Sequence, residues 1–176
     1  FSFVRYDLLD IEMDPAQQGY AGNQFDVVLA ANVLHATQDL RQTVQHVRHF
    51  MKPRGVLILL EGVRRQRWLD LIFGLTDGWW RFADRELRPN YPLISASEWT
   101  DLLQTSGFGE TIALPNPIGS VDEEPIAVPQ AMIVGQADKI EAPSTDLSTG
   151  LVDSARASSE SPGSWLILAD RGGVGE

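Results

Sequence analysis

Three short apolar runs, each closing on a polar or ionisable residue, limit most strongly what this chain can fold into. They are FVRYDLL at 3–9 before Asp10, FDVVLAA at 25–31 before Asn32, and GVLILLE at 55–61 ending on Glu61. The second and third are apolar at nearly every position rather than at alternate ones. A strand written this way is covered on both faces, which is the pattern of a parallel sheet between helical layers. Between these two runs Leu40, Val44, Val47 and Met51 recur at helical spacing, with Thr37 as the expected N-cap. Pro53, Arg54 and Gly55 are then expected to break the helix and turn the chain into the next strand. Strand, helix and strand joined by short turns make one βαβ unit with a right-handed crossover.

Beyond Glu61 an arginine- and tryptophan-rich segment, 64–91, carries a helical pattern around Trp68, Leu71, Ile72 and Leu75. Ser97 is the expected cap of a helix over 98–106 that stops at Gly107. Phe108–Leu114 and Val128–Ala137 read as two strands with no helix between them, hence an antiparallel pair at the sheet edge. The loop joining them holds Pro115, Pro117, Gly119 and the acidic trio Asp122, Glu123 and Glu124. Residues 138–163 turn to Ser, Thr, Ala, Pro, Glu and Asp, too poor in large apolar side chains to form a core, and read as a linker. The last stretch, 164–176 (SWLILADRGGVGE), restarts as a strand running into a glycine-rich turn. Opening on Phe1 directly into a strand-like run suggests a piece of a longer protein.

Composition removes several function classes. With no cysteine, disulfides, thiolate catalysis and Cys-ligated metal sites are excluded. Three histidines, His35, His46 and His49, are too poorly partnered to suggest a metal site, and His46 and His49, off the apolar stripe of their helix, read as surface residues. A net charge of −10 argues against a nucleic-acid binder, which needs a basic face to neutralise phosphates. No apolar run approaches the roughly 20 residues of a membrane helix, and no secretory signal is present, so the expected location is cytoplasmic. Arg64, Arg65, Arg67, Arg81, Arg85 and Arg88 cluster against the acidic background, either as a solvated helix surface or as a dock for an acidic partner.

In open parallel sheets, ligands sit beyond the carboxyl ends of the strands. Those ends carry Asp10 and Ile11, then Asn32 to His35, then Glu61 and Gly62. Taken singly, the Asp reads as a turn residue, the His as a satisfied structural histidine and the Glu as a solvated end. Their common location is what points to a site.

The run FDVVLAANVLHATQDLRQTVQHVRHFMKPRGVLILLEG resembles the middle of a class I methyltransferase, and specifically the C-methyltransferase domains of type I modular polyketide synthases. ANVLHAT, LLEG, WLDLIFGLTDGWWRF and RPNYPLIS follow in the family's order along residues 1–137. The resemblance implies an α/β fold, a Rossmann-like class I methyltransferase sheet with an antiparallel edge pair and its N-terminal strands missing. It implies S-adenosylmethionine as cofactor. The implied acceptor is the α-carbon of a β-ketoacyl chain held on the phosphopantetheine of an acyl carrier protein, among neighbouring synthase domains. Asp10 would accept from the adenine amine and Ile11 pack on the ring, with Ala31 and Asn32 beside the methionine portion. His35 matches the catalytic histidine and Glu61 its carboxylate partner. Trp79, Trp80, Phe82 and Tyr91 either pack the insertion or line the acyl channel, with Trp80 and Tyr91 the candidates for substrate contact. The closing glycines resemble the start of a ketoreductase structural subdomain rather than a cofactor fingerprint.

The implied chemistry suits these residue types. Two carbonyls acidify the α-proton, so a neutral imidazole can remove it, and the enolate then takes the methyl of the sulfonium. A carboxylate on the far ring nitrogen fixes the tautomer and stabilises the imidazolium. The family's glycine-rich loop, its acidic ribose-binding residue and its N-terminal lid are absent from these 176 residues, which predicts poor cofactor binding by the chain alone. Three readings remain: part of an active C-methyltransferase, an O- or N-methyltransferase of the same fold, and a silent scaffold segment.

Overall fold

The two runs that are apolar throughout become adjacent parallel strands. In the computed structural model, which describes residues 2–115, 129–138 and 163–169, β1 (Phe25–Ala31) pairs with β2 (Met51–Gly62) from Val27↔Val56 to Ala31↔Leu60. The crossover between them is α1 (Leu40–Phe50), whose Leu40, Val44, Val47 and Phe50 are buried on the core side. Each such side chain contributes about 1.5–3 kcal/mol by leaving water. Downstream, α2 (Arg67–Ile72) is short, and α3 (Ala96–Thr105) packs on β3 (Phe108–Leu114) and β4 (Gln130–Ala137) through Trp99, Leu102 and Leu103. β4 runs antiparallel to both β2 and β3, so the expected antiparallel edge is present. A fifth strand, β5 (Trp165–Leu168), lies parallel to β1 on the opposite edge, giving the order β3-β4-β2-β1-β5. The side chain of Asp26 ties that edge down, accepting from Lys52 Nζ at 2.8 Å and from the Ser164 amide at 2.7 Å.

Several expectations need correcting. Residues 4–10 form no strand: Phe3, Tyr6 and Leu8 are exposed. The backbone of this segment is engaged by side chains instead of a ladder: Tyr20 donates to Leu8 O at 2.8 Å, and Gln18 exchanges hydrogen bonds with the amide and carbonyl of Asp10. The α1 cap is Asp39, which accepts from the Gln42 amide; Thr37 is turned inward, donating to Leu34 O and accepting from Thr43 Oγ1. The helix ends at Phe50, before Pro53, and β2 starts at Met51 with a register shift near Arg54, whose φ of 65° is left-handed. α3 is capped by Ser95 rather than Ser97, because Ser95 and Glu98 form a reciprocal capping box that Thr100 could not supply to Ser97. The periodicity at Trp68, Leu71, Ile72 and Leu75 is helical only in part, and these four side chains face solvent instead of the core. β4 runs over Gln130–Ala137, and its expected first residue, Val128, lies outside the described residues. The acidic trio, nearly all of the linker and the closing glycines lie outside the described residues. The strand expected at the opening of 164–176 is β5, and it belongs to the same sheet as β1.

Candidate functional site

The carboxyl ends of β1 and β2 lie side by side, and the residues that leave them determine what collects there. After β1 the chain turns at Asn32, whose φ of 53° is one that asparagine tolerates better than most residues; its amide donates to Leu60 O at 2.7 Å. A single 3-10 turn, Leu34–Ala36, then presents His35. Glu61, near the end of β2, is wholly buried (0% side-chain exposure), and His35 keeps only 13%.

Glu61 uses both carboxylate oxygens on this turn. Oε1 accepts from the Leu34 amide at 3.0 Å, and Oε2 lies 2.7 Å from His35 Nδ1. A carboxylate only accepts, so the proton of a neutral imidazole sits on Nδ1 and the lone pair is left on Nε2. That is the tautomer a general base requires. Against the ring stands Trp79, edge to face at 5.7 Å and itself stacked on Phe73 at 5.6 Å. Trp79 meets Tyr91 at 5.9 Å, and Tyr91 meets Trp80 at 6.3 Å, so a continuous aromatic wall leads outward from His35. The Tyr91 hydroxyl donates to Asp70 at 2.9 Å, and Asp70 also takes Arg65 Nε at 2.9 Å. Partial burial and the bond to Asp70 push the Tyr91 phenol up to about 12, while Arg65 holds the Asp70 carboxyl below its ordinary range.

The other expected residues border this pair more loosely. Asp10 is exposed, with Oδ1 accepting from the Glu12 amide at 3.0 Å. Ile11 is mostly in the core, and its carbonyl accepts from His46 Nδ1 at 2.7 Å, so only an edge of its side chain is left to meet a ring. Glu12 fastens this turn to the His35 loop by accepting from the Gln38 amide at 2.6 Å. Ala31 and Asn32 are exposed at the end of β1, and Asn32 Oδ1 accepts from Gln130 at 3.3 Å. Trp80 is part-exposed, with its indole bonded to Gly74 O at 3.0 Å.

Sequence reasoning overlooked three residues here and left a fourth, Trp79, open between core packing and the acyl channel. Trp79, not Trp80, is the indole that touches His35. His46, taken for a surface residue, anchors Ile11, and His49 is likewise partly buried. Arg88 is not a surface charge: its side chain is fully buried against Asp84. Spacing could have hinted at the last, since Asp84 and Arg88 are four residues apart, but an exposed i,i+4 pair reads identically.

A family profile described as "Methyltransferase domain" matches residues 1–57. The chain is 40% identical over 137 residues to a highly reducing polyketide synthase of Leptosphaeria maculans, and 46% identical over 114 residues to another of Alternaria alternata. These alignments cover 77% and 64% of this chain but only 5% and 4% of the relatives. Among solved structures it superposes on the CurJ carbon methyltransferase at 47% identity and a TM-score of 0.66, covering 74% of this chain and 34% of that one. On the DszA carbon methyltransferase the identity is 37% and the TM-score 0.70, covering 79% and 35%. The chain therefore spans about a third of the solved domains that it matches. Sheet order, edge pairing and these likenesses define part of a class I S-adenosylmethionine-dependent methyltransferase domain. Within that class, the chain belongs to the carbon-methyltransferase domains of polyketide synthases. The chemistry of the groups beside the pair is compatible with that cofactor: Asp10 exposes a carboxylate, which can accept from an amine, and Asn32 exposes an amide at the end of β1.

Proposed function

We propose that these residues form the proton-abstracting half of a site that methylates the α-carbon of a β-ketoacyl chain carried by the phosphopantetheine of an acyl carrier protein. The observation that carries the reading is the His35–Glu61 contact of 2.7 Å, with Glu61 wholly buried and its second oxygen engaged. His35 Nε2 takes the α-proton, which two carbonyls acidify. Glu61 steadies the resulting imidazolium and keeps the ring from turning. When bound, S-adenosylmethionine supplies the electrophilic methyl group. Asp10 and Ile11 serve its adenine, and Ala31 and Asn32 its methionine portion. Trp80 and Tyr91 line the approach of the acyl chain.

A cytoplasmic location and neighbouring synthase domains belong to the same proposal. So does completion of the cofactor cradle by sequence outside these 176 residues, because the chain spans 34% of one solved carbon methyltransferase. Held alone, the chain should bind the cofactor weakly and transfer little. The test is methyl transfer to a β-ketoacyl thioester by the full-length protein carrying this chain. His35→Ala is expected to slow it by ~10²–10⁴-fold, the usual contribution of a general base. Near-normal transfer by that variant would refute the assignment.

A further inference from the structure

Among the described residues, Arg88 carries a guanidinium with no contact to solvent: its side-chain exposure is 0%, and that of its partner Asp84 is 7%. Taking such a group out of water is costly unless every N–H finds an acceptor. The acceptors it finds are specific. Nε donates to Asp84 Oδ1 at 2.6 Å, one terminal nitrogen donates to His35 O at 2.8 Å, and the other to Thr37 O at 2.8 Å and Gln38 O at 3.0 Å. Three of those four acceptors are backbone carbonyls of the turn that bears the base. The remaining oxygen of Asp84 accepts from the Leu40 amide at 3.0 Å, in the first turn of α1, and the Ala83 amide donates to Gln38 O at 2.8 Å.

We infer that Arg88, seated by Asp84, is a positioning residue for His35: it holds the backbone of the His35 turn while Glu61 holds the ring. His35 is gripped at two places, its carbonyl by Arg88 and its Nδ1 by Glu61. One anchor alone would leave the ring a pivot. The two together fix where Nε2 points. The planar fork of a guanidinium is what lets one side chain reach carbonyls on three residues, and a lysine ammonium keeps the charge without that reach.

The inference rests on the reading of His35 as the base, and the test separates the two. In the 176-residue chain with isotope-labelled histidine, the proton that His35 Nδ1 donates to Glu61 should be protected from exchange. Arg88→Lys is expected to abolish that protection while circular dichroism stays native. In the full-length protein the same variant should lower kcat by about 10²-fold, the cost of a small misplacement, with KM for the methyl donor unchanged. In a His35→Ala background it should lower the residual rate no further. Should Arg88→Lys fail to fold, Asp84→Asn decides; it keeps the shape and loosens the seat, and the same changes are expected at smaller size. A folded variant with unaltered protection and rate would overturn the inference, as would an equal loss of rate with and without His35. If His35→Ala left methyl transfer intact while Arg88→Lys still removed the protection, the base assignment would fall and the positioning role would stand.

Discussion

The two flanks of the sheet's carboxyl end are built to different standards. On the flank proposed to hold the base, Glu61 and Arg88 have no exposed side-chain surface, and Glu61 bonds the His35 ring while Arg88 bonds its carbonyl. On the flank proposed to serve the cofactor, Asp10, Ala31 and Asn32 are exposed, and Glu12 links the Asp10 turn to Gln38. On the proposed reading, the contrast separates a buried, preorganised proton acceptor from an exposed cofactor rim. Buried polar networks of this kind are costly to half-remove, whereas exposed groups can exchange a lost partner for water. Perturbations of the two flanks should therefore differ in kind.

The largest effect should follow loss of charge on the base flank. Glu61→Gln keeps the volume and an acceptor for the Leu34 amide but removes the charge that stabilises the imidazolium. Methyl transfer should fall by ~10²–10⁴-fold with thermal unfolding little changed. Glu61→Ala should also cost about 1–3 kcal/mol of stability in denaturant titration, because the buried Leu34 amide loses its partner. If Glu61→Gln were as active as the wild type, the flanks would not differ as described.

On the cofactor flank, Asp10→Asn should weaken S-adenosylmethionine binding by at most about tenfold, the worth of one hydrogen bond, and leave kcat and stability alone. Calorimetric titration of the full-length protein checks this, and a loss of stability would show that Asp10 is structural. Smaller still is the effect expected outside both flanks. Arg64 and Arg67 are exposed, whereas Arg65 is engaged by Asp70. Reversing the charge of Arg64 and Arg67 should slow transfer from an acyl carrier protein severalfold and leave transfer to a small thioester mimic untouched, with the difference fading at high salt. Equal slowing of both substrates would remove the docking role.

The smallest effect lies in the aromatic wall. The Tyr91 phenol is raised to about 12, so its contribution to stability is whole below its unfolded value near 10.0 and disappears as pH rises through about 12. Asp70 is lowered from 3.8, so its contribution is present above that value and disappears as pH falls. Ultraviolet titration should show Tyr91 ionising near 12, and at lower pH in Asp70→Asn; an unchanged titration in that variant would detach Asp70 from the wall.

Much of this was legible in the sequence, and what was missed has physical causes. Runs apolar on both faces marked the parallel pair, because burial from two sides leaves no other composition. The polar residues closing those runs located His35 and Glu61, because a class of sheet fixes where its strands end. The segment at 3–9 misled because strand propensity says nothing about a partner to pair with. Trp68, Leu71, Ile72 and Leu75 misled because helical spacing shows that a face exists but not which way it turns. Arg88 was hidden among exposed arginines, since burial of its charge depends on carbonyls of residues 35–38, far from it in sequence, as well as on nearby Asp84.

The central claim is that the base flank works without the cofactor flank. Deuterium uptake at the α-carbon of a β-ketoacyl thioester, measured in heavy water with the methyl donor left out, tests it most directly. The full-length protein should exchange that position faster than buffer does, Asp10→Asn should match it, and His35→Ala should fall back to the buffer rate. Exchange by His35→Ala at the wild-type rate would contradict the account.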